Sequence, residues 1–239
     1  INVFHFNFVL ALLSAMLVCA VIGVIIEYFA YRPLRHSARI TALITAIGVS
    51  FLLENGMSYL VGANARSFPQ AIAVVTYHWL GLRISNIQIL ILGTACFLMV
   101  ILELIIKRTK MGKAMRAVSV DPEAAQLVGI NLNHTISFTF ALGSAMAGAA
   151  GVLIGLYYNS IDPLMGMTPG IKAFVAAVIG GIGSVPGASV GGFLIGILET
   201  AVQAVGLSAY KDAVVYFVLI VILLVMPAGI FGKNVKEKV

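Results

Sequence analysis

Apolar runs long enough to cross a bilayer follow one another along this chain, and nothing else constrains its fold as strongly. A crossing helix needs roughly 20 apolar residues at about 1.5 Å rise each. Such runs cover residues 8–29, 40–62, 86–106, 135–158 and 211–230. Between the last two lies a Gly-rich hairpin of two further segments, 167–183 and 187–205, broken at Ser184-Val185-Pro186. That makes about seven apolar segments, the fifth of them short for a full crossing. The runs are continuous and do not alternate with period two, so a transmembrane barrel is excluded. Charged residues make up 10% of the chain, against about 25% in a soluble domain. A disordered chain, a nucleic-acid-binding domain and an ordinary cytosolic enzyme are excluded with it. The expected fold is all-α: a polytopic transmembrane helical bundle, one membrane domain over 1–239, with one segment short and Gly-broken.

The net charge of +6 is a matter of topology rather than of nucleic-acid binding. Arg32, Arg35 and Arg39 follow the first run, and Lys107, Arg108, Lys110, Lys113 and Arg116 follow the third. Lys233, Lys236 and Lys238 follow the last, which brings the total to eleven of the fifteen Lys and Arg. The opposite loops and span ends hold Arg66, Arg83, Lys172 and Lys211. The positive-inside rule places the three basic regions, and the C-terminus, in the cytoplasm. The parity closes if the short fifth segment counts as a crossing. Ile1 opens no signal peptide, because neither a basic n-region nor a small-residue cleavage site follows it. The beginning of the chain is therefore expected to have been processed or to lie outside this sequence.

Small residues recur every four positions in the fourth run (Gly143, Ala147, Gly151, Gly155) and the sixth (Ala188, Gly192, Gly196). Such stripes let helix backbones approach closely in lipid. Cys19 and Cys96 lie mid-run and read as small hydrophobes. His5, His36, His78 and His134 sit at run ends or in loops and read as interfacial or solvated. No HExxH, CxxC, GxxxxGK[ST] or Cys/His cluster is present. The chain is therefore expected to be no enzyme, with no catalytic residue and no metal. Two acids lie well inside apolar runs, Glu54 and Glu199. A carboxylate at bilayer depth costs a few kcal/mol and normally faces protein or water. Glu54 shares a face with Ser50 and Ser58, and Glu199 follows Gly192 and Gly196 and precedes Gln203. Each is either a hydrogen-bonded structural group or part of a solute path, with Gln203 or a neighbouring helix as the expected partner of Glu199. The break at 180–187 carries four glycines and Pro186. It should be irregular, buried or wet, and near the cytoplasmic side of that path, which brings in Gly181, Gly183 and Ser184. Glu27 and Glu103 lie near cytoplasmic ends and read as structural, Glu103 pairing with Lys107 at i+4.

The loop 107–134 carries more signal than a linker would. Asp121 suits an N-cap, Pro122 the first helical position, Glu123 the helix N-terminus and Gly129 the C′ position. A helix of about two turns over 122–128 follows. Upstream, Met111, Met115 and Val118 form an i, i+4, i+7 apolar stripe beside Lys113 and Arg116. A two-turn helix is unstable alone, so it docks on its own membrane domain or on a soluble partner.

The stretch Gly112-Lys113-Ala114-Met115-Arg116-Ala117, followed by Asp121-Pro122-Glu123-Ala124-Ala125-Gln126-Leu127-Val128-Gly129-Ile130-Asn131, resembles the cytoplasmic loop of ABC importer permeases. More narrowly, the chain resembles the LivH-type branched-chain amino acid permeases. Tyr31-Arg32-Pro33-Leu34-Arg35, Leu43-Ile44-Thr45-Ala46-Ile47-Gly48, Arg66-Ser67-Phe68-Pro69 and Gly180-Gly181-Ile182-Gly183-Ser184-Val185-Pro186-Gly187-Ala188 carry the likeness over nearly the whole chain. Permeases of this group begin with further hydrophobic sequence, bearing an Asn-Phe-Ala-His-Gly motif, ahead of the point where this chain starts. The resemblance implies a multi-pass permease subunit of the bacterial inner membrane. It implies alternating access to a solute handed over by an extracytoplasmic binding protein, and a heterodimeric pore with a second related permease. Two separate ATPase subunits would bind ATP and Mg, leaving no cofactor in this chain, and would push on 122–128. Ala124 and Ala125 would permit close approach, Leu127 or Val128 would anchor, and Gly129 would close the helix. The implied cargo is branched-chain amino acids. The alternatives are urea or short amides, or a different class, a stand-alone channel or secondary carrier, which would need no docking helix in 107–134.

Overall fold

The computed structural model describes residues 8–35, 37–68, 75–79, 82–226 and 228–232. The side chains of Arg39, His78, Trp79, Leu82 and Arg83 are outside the description. So are His5, His36, Pro69 and the three C-terminal lysines, Lys233, Lys236 and Lys238. The described chain is helical almost throughout. Six helices are long and apolar enough to cross a membrane, and one shorter apolar helix joins them. By its internal packing the chain forms two compact units, Ile1–Leu164 and Met165–Val239.

Unit 1 opens with α1 (Phe8–Ile26), which runs on through a π-helical turn at Glu27–Tyr31 and a 3-10 turn at Arg32–Leu34. Then come α2 (Arg39–Val61), α3 (Asn86–Arg108), α4 (Lys110–Val120), α5 (Pro122–Leu127) and α6 (Leu132–Tyr158). The principal packing is α1 on α6. A side chain at Gly148 would meet the Ala15 carbonyl and Cys19, and one at Gly23 would meet Ser144 and the Phe140 carbonyl. Backbones approach this closely only where no Cβ intervenes. The packing face differs from the stripe read in the sequence. Gly143 and Ala147 are exposed, and the α1-facing residues are one position along, at Ser144 and Gly148. One residue turns a helix by 100°, so a stripe one position off points elsewhere. Gly155 does pack, against Phe68 and Ile161. No side chain of α3 is buried, and none of those described on α2.

Four short strands were absent from the all-α expectation. β1 (Arg66–Ser67) pairs antiparallel with β4 (Ser160–Ile161), and β2 (Thr76–Trp79) with β3 (Leu82–Ser85). Runs of two to four residues leave no hydrophobic periodicity to read.

Unit 2 holds α7 (Met167–Gly180), α8 (Val185–Ala204) and α9 (Lys211–Val225). Its core is Val175, Ala176, Ile179, Ile195 and Val215. α7 and α8 form an antiparallel hairpin in which Gly187 crosses Gly180 and Gly191 crosses Ala176, backbone against backbone. The same one-residue offset recurs here. The buried face of α8 is Gly187, Gly191 and Ile195, not Ala188, Gly192 and Gly196. Gly192 and Gly196 line an open groove with Phe193, Ile197 and Thr200.

The break between α7 and α8 is narrower than the 180–187 expected. Only 181–184 is irregular, and Pro186 sits in the first turn of α8. Gly181 (φ +99°) and Gly183 (φ +94°) make the turn. The segment 228–232 covers it: the Ile230 and Phe231 amides donate to the Ile179 and Gly180 carbonyls at 2.9 and 3.1 Å. Those are orphan acceptors at the end of α7, and a helix end buried without such partners would be costly.

Candidate functional site

The most specific local chemistry of the sequence lies in 107–134, and each capping residue there does what its type dictates. Thr109 ends α3 and caps α4, its hydroxyl accepting from the Gly112 amide at 2.9 Å. Gly112 is buried against the Ile105 and Ile106 carbonyls, and Arg116 donates to the Ile106 carbonyl. These contacts fold α4 back on the end of α3. Asp121 caps α5, accepting from the Glu123 and Ala124 amides at 3.0 Å each. At the other end the Gly129 amide donates to Gln126 at 2.9 Å and the Ile130 amide to Ala125 at 3.0 Å. With Gly129 at φ +85°, this is a complete Schellman closure. Asn131 then caps α6 through the His134 amide at 3.1 Å. His134 is exposed, as its place in the loop predicts.

α5 is thus six residues long and closed at both ends, one residue shorter than the 122–128 expected. Leu127 is 89% exposed and Val128 76%. Ala124 is exposed too, but Ala125 is only 3% exposed. That corrects the outward role given to Ala125. Its Cβ lies on the face α5 turns toward its own unit, leaving Ala124, Leu127 and Val128 presented.

Beside this loop lies a polar cluster around Glu27, which the sequence reads as structural without giving its partners. Glu27 is fully buried. Its Oε1 accepts from Arg35, and its Oε2 accepts from the Ser137 hydroxyl at 2.6 Å. The same guanidinium donates to Asn133 Oδ1. A straight helix would set residues eight apart about 12 Å along its axis. The π turn and the 3-10 turn after it bring Arg35 back onto Glu27. The signal in the sequence was Glu27 itself, an acid inside the apolar run. Its partner was hidden because residues eight apart share a face of a regular helix but lie too far apart along it to pair.

The remaining site candidates scatter. Glu54 accepts from Ser50 at 2.8 Å on half-buried α2 surface. Glu103 pairs with Lys107 as expected. Glu199 does not use Gln203; it meets Lys172 Nζ on α7 at 2.7 Å, and the same nitrogen is 2.7 Å from Asp212 on α9. Lys172 had been read as a span-end charge, yet it ties three helices of unit 2 together. Of the residues at the break, Ser184 caps α8 through the Gly187 amide at 3.1 Å. Gly181 is covered by Phe231 and Gly232, whereas Gly183 has open space beside it. Gly181 is therefore buried in protein, one of the two settings expected of the break. Among the described residues no cluster of three or more His, Cys, Asp or Glu could hold a metal.

The family model for the branched-chain amino acid transport system permease component matches residues 1–223. The chain belongs to that family. It is 40% identical over 234 residues to the high-affinity branched-chain amino acid transport system permease protein LivH of Salmonella typhimurium. That alignment covers 95% of this chain and 75% of the relative. LivH of Escherichia coli K12 is 41% identical over 233 residues, with the same coverage. BraD of Pseudomonas aeruginosa is 40% identical over 233, covering 96% of this chain and 76% of the relative. No solved structure matches significantly. The protein is a membrane permease with several apolar helices, and membership in this family accounts for the continuous spans.

Proposed function

We propose that this permease carries branched-chain amino acids inward across the bacterial inner membrane as one subunit of an ATP-driven importer. The observation that carries the reading is α5: a doubly capped short helix offering Leu127 and Val128, 89% and 76% exposed among the described residues. Apolar side chains so placed beside a basic helix suit a docking groove in a soluble subunit better than open water. The partner is an ATPase pair that binds ATP and Mg and drives α5. A second related permease completes the pore, and an extracytoplasmic binding protein delivers the amino acid. The basic residues Arg32, Arg35, Lys107, Arg108, Lys110, Lys113 and Arg116 follow the first and third apolar runs, which supports a cytoplasmic place for the α4–α5 loop; by the same rule Lys233, Lys236 and Lys238, after the last run, favour a cytoplasmic C-terminus.

The test is uptake by the complex rebuilt in liposomes with its ATPases, partner permease and binding protein. ATP-dependent entry of labelled leucine, isoleucine and valine, without entry of urea, is the expected result. Leu127→Asp should leave the permease inserted but remove most ATPase capture in a pull-down, and uptake with it. Normal capture and uptake by this variant would remove α5 from the coupling role.

A further inference from the structure

The buried carboxylate of Glu27 has no part in the function just proposed, yet it is matched by donors more completely than any other acid described. A buried carboxylate persists only when paired and hydrogen-bonded, and here both oxygens are claimed, by Arg35 and by Ser137. Two features of its setting point beyond packing. First, Glu27 opens the π-helical turn Glu27–Tyr31 at the end of α1, before the 3-10 turn Arg32–Leu34. Such turns carry an extra residue, are rare, and gather at functional points of helices. Second, the two groups that hold the pair from outside, Asn133 and Ser137, lie in the first two turns of α6, directly downstream of α5. Between α5 and Asn133 the backbone has little slack, because Gly129 and Ile130 close α5 and Asn131 caps α6. Buried Ala125 presses α5 onto its own unit. One turn further on, Tyr31 lies 5.0 Å from the Phe140 ring, and Gly23 meets Ser144.

We propose that the Glu27–Arg35 pair, gripped by Asn133 and Ser137, is the clamp that carries displacement of α5 into α1. A push on α5 shifts the start of α6. Asn133 and Ser137 move with it, and through the guanidinium and the carboxylate they drag the π turn. The extra residue there gives α1 a place to re-register without breaking its contact with α6. Glu27 and Arg35 are positioning residues: they touch neither cargo nor nucleotide. The proposal rests on the coupling role of α5, and its test separates the two.

In the rebuilt complex, Glu27→Gln and Arg35→Gln are compared with Leu127→Asp for three readouts: ATPase capture, ATP hydrolysis, and amino acid moved per ATP hydrolysed. The clamp variants should capture the ATPases and hydrolyse ATP at near the parent rate, but move about tenfold less amino acid per ATP, the range of a coupling interaction. Arg35→Lys should restore part of that ratio. The double variant should be no worse than either single one, because the pair acts as a unit. Asn133→Ala and Ser137→Ala remove one grip each without stranding a buried charge. They should lower the ratio by a smaller factor, and they decide the matter if the charge variants fail to insert. An unchanged ratio in inserted clamp variants, or in Asn133→Ala and Ser137→Ala together, overturns the clamp. If Leu127→Asp also captures and transports normally, the coupling role of α5 fails as well. If Leu127→Asp loses capture while the clamp variants transport normally, only the clamp fails.

Discussion

The two units each contain a charge cluster inside helices, and the two clusters are built in opposite ways. In unit 1 one carboxylate, Glu27, has no solvent exposure, and its charge is balanced by one guanidinium and one hydroxyl. In unit 2 one ammonium, Lys172, serves two carboxylates at 2.7 Å each and leaves a surplus negative charge. None of the three is as deeply buried as Glu27: Lys172 is 19% exposed, Glu199 20% and Asp212 44%. Burial, more than the number of charges, sets how completely they must be matched. A dry carboxylate without a partner costs several kcal/mol, while water beside a half-exposed one absorbs most of an imbalance.

The sharpest way to break this contrast is to remove one partner from each. Arg35→Ala strands Glu27 and should cost about 3–5 kcal/mol of stability, seen as a large drop in the thermal midpoint of the purified permease. Lys172→Met leaves Glu199 and Asp212 without their shared cation but less deeply buried than Glu27, and should cost about 2 kcal/mol. Adding Glu199→Gln and Asp212→Asn to Lys172→Met should recover most of that. Equal midpoints for Arg35→Ala and Lys172→Met would mean that exposure does not govern the two clusters. Gly129→Val tests a position outside both. It forces a β-branched residue to φ +85° and should cost about 1–2 kcal/mol, as faster proteolysis confined to 121–131 with the spans intact. The smallest effect belongs to Glu199 alone. Glu199→Gln keeps an acceptor for Lys172 and should outlast Glu199→Leu in yield by about 1 kcal/mol; identical yields would show that the contact with Lys172 contributes nothing.

How legible each feature was depended on how far along the chain its cause lay. The caps of α5 were legible because Asp121, Pro122 and Gly129 act within a few residues of one another, where backbone geometry and side-chain type suffice. The small-residue faces were legible only to within one position. Both α6 and α8 carry small residues on adjacent faces, Gly143 beside Ser144 and Gly192 beside Gly191, and local pattern does not say which meets the neighbouring helix. The outward placing of Ala125 failed for the same reason, since a helix of six residues has no periodicity to separate its faces. The partner of Glu199 was legible as a need and not as a residue.

By itself the sequence determined that the chain spans a membrane, where the apolar helices run to within about five residues, and where α5 begins. Those are consequences of apolar run length and of capping chemistry, both local. Tertiary structure alone decided that Gly148 and Gly191 are the contact glycines, that Lys172 joins Glu199 to Asp212, and that Arg35 closes on Glu27. The Lys172 contacts join residues 27 and 40 positions apart, and the Glu27–Ser137 bond spans 110. Arg35 is close in sequence, yet it reaches Glu27 only because the helix between them is wound off the α-helical period. No pattern along a regular helix records such a pairing; it comes into being when the helices pack.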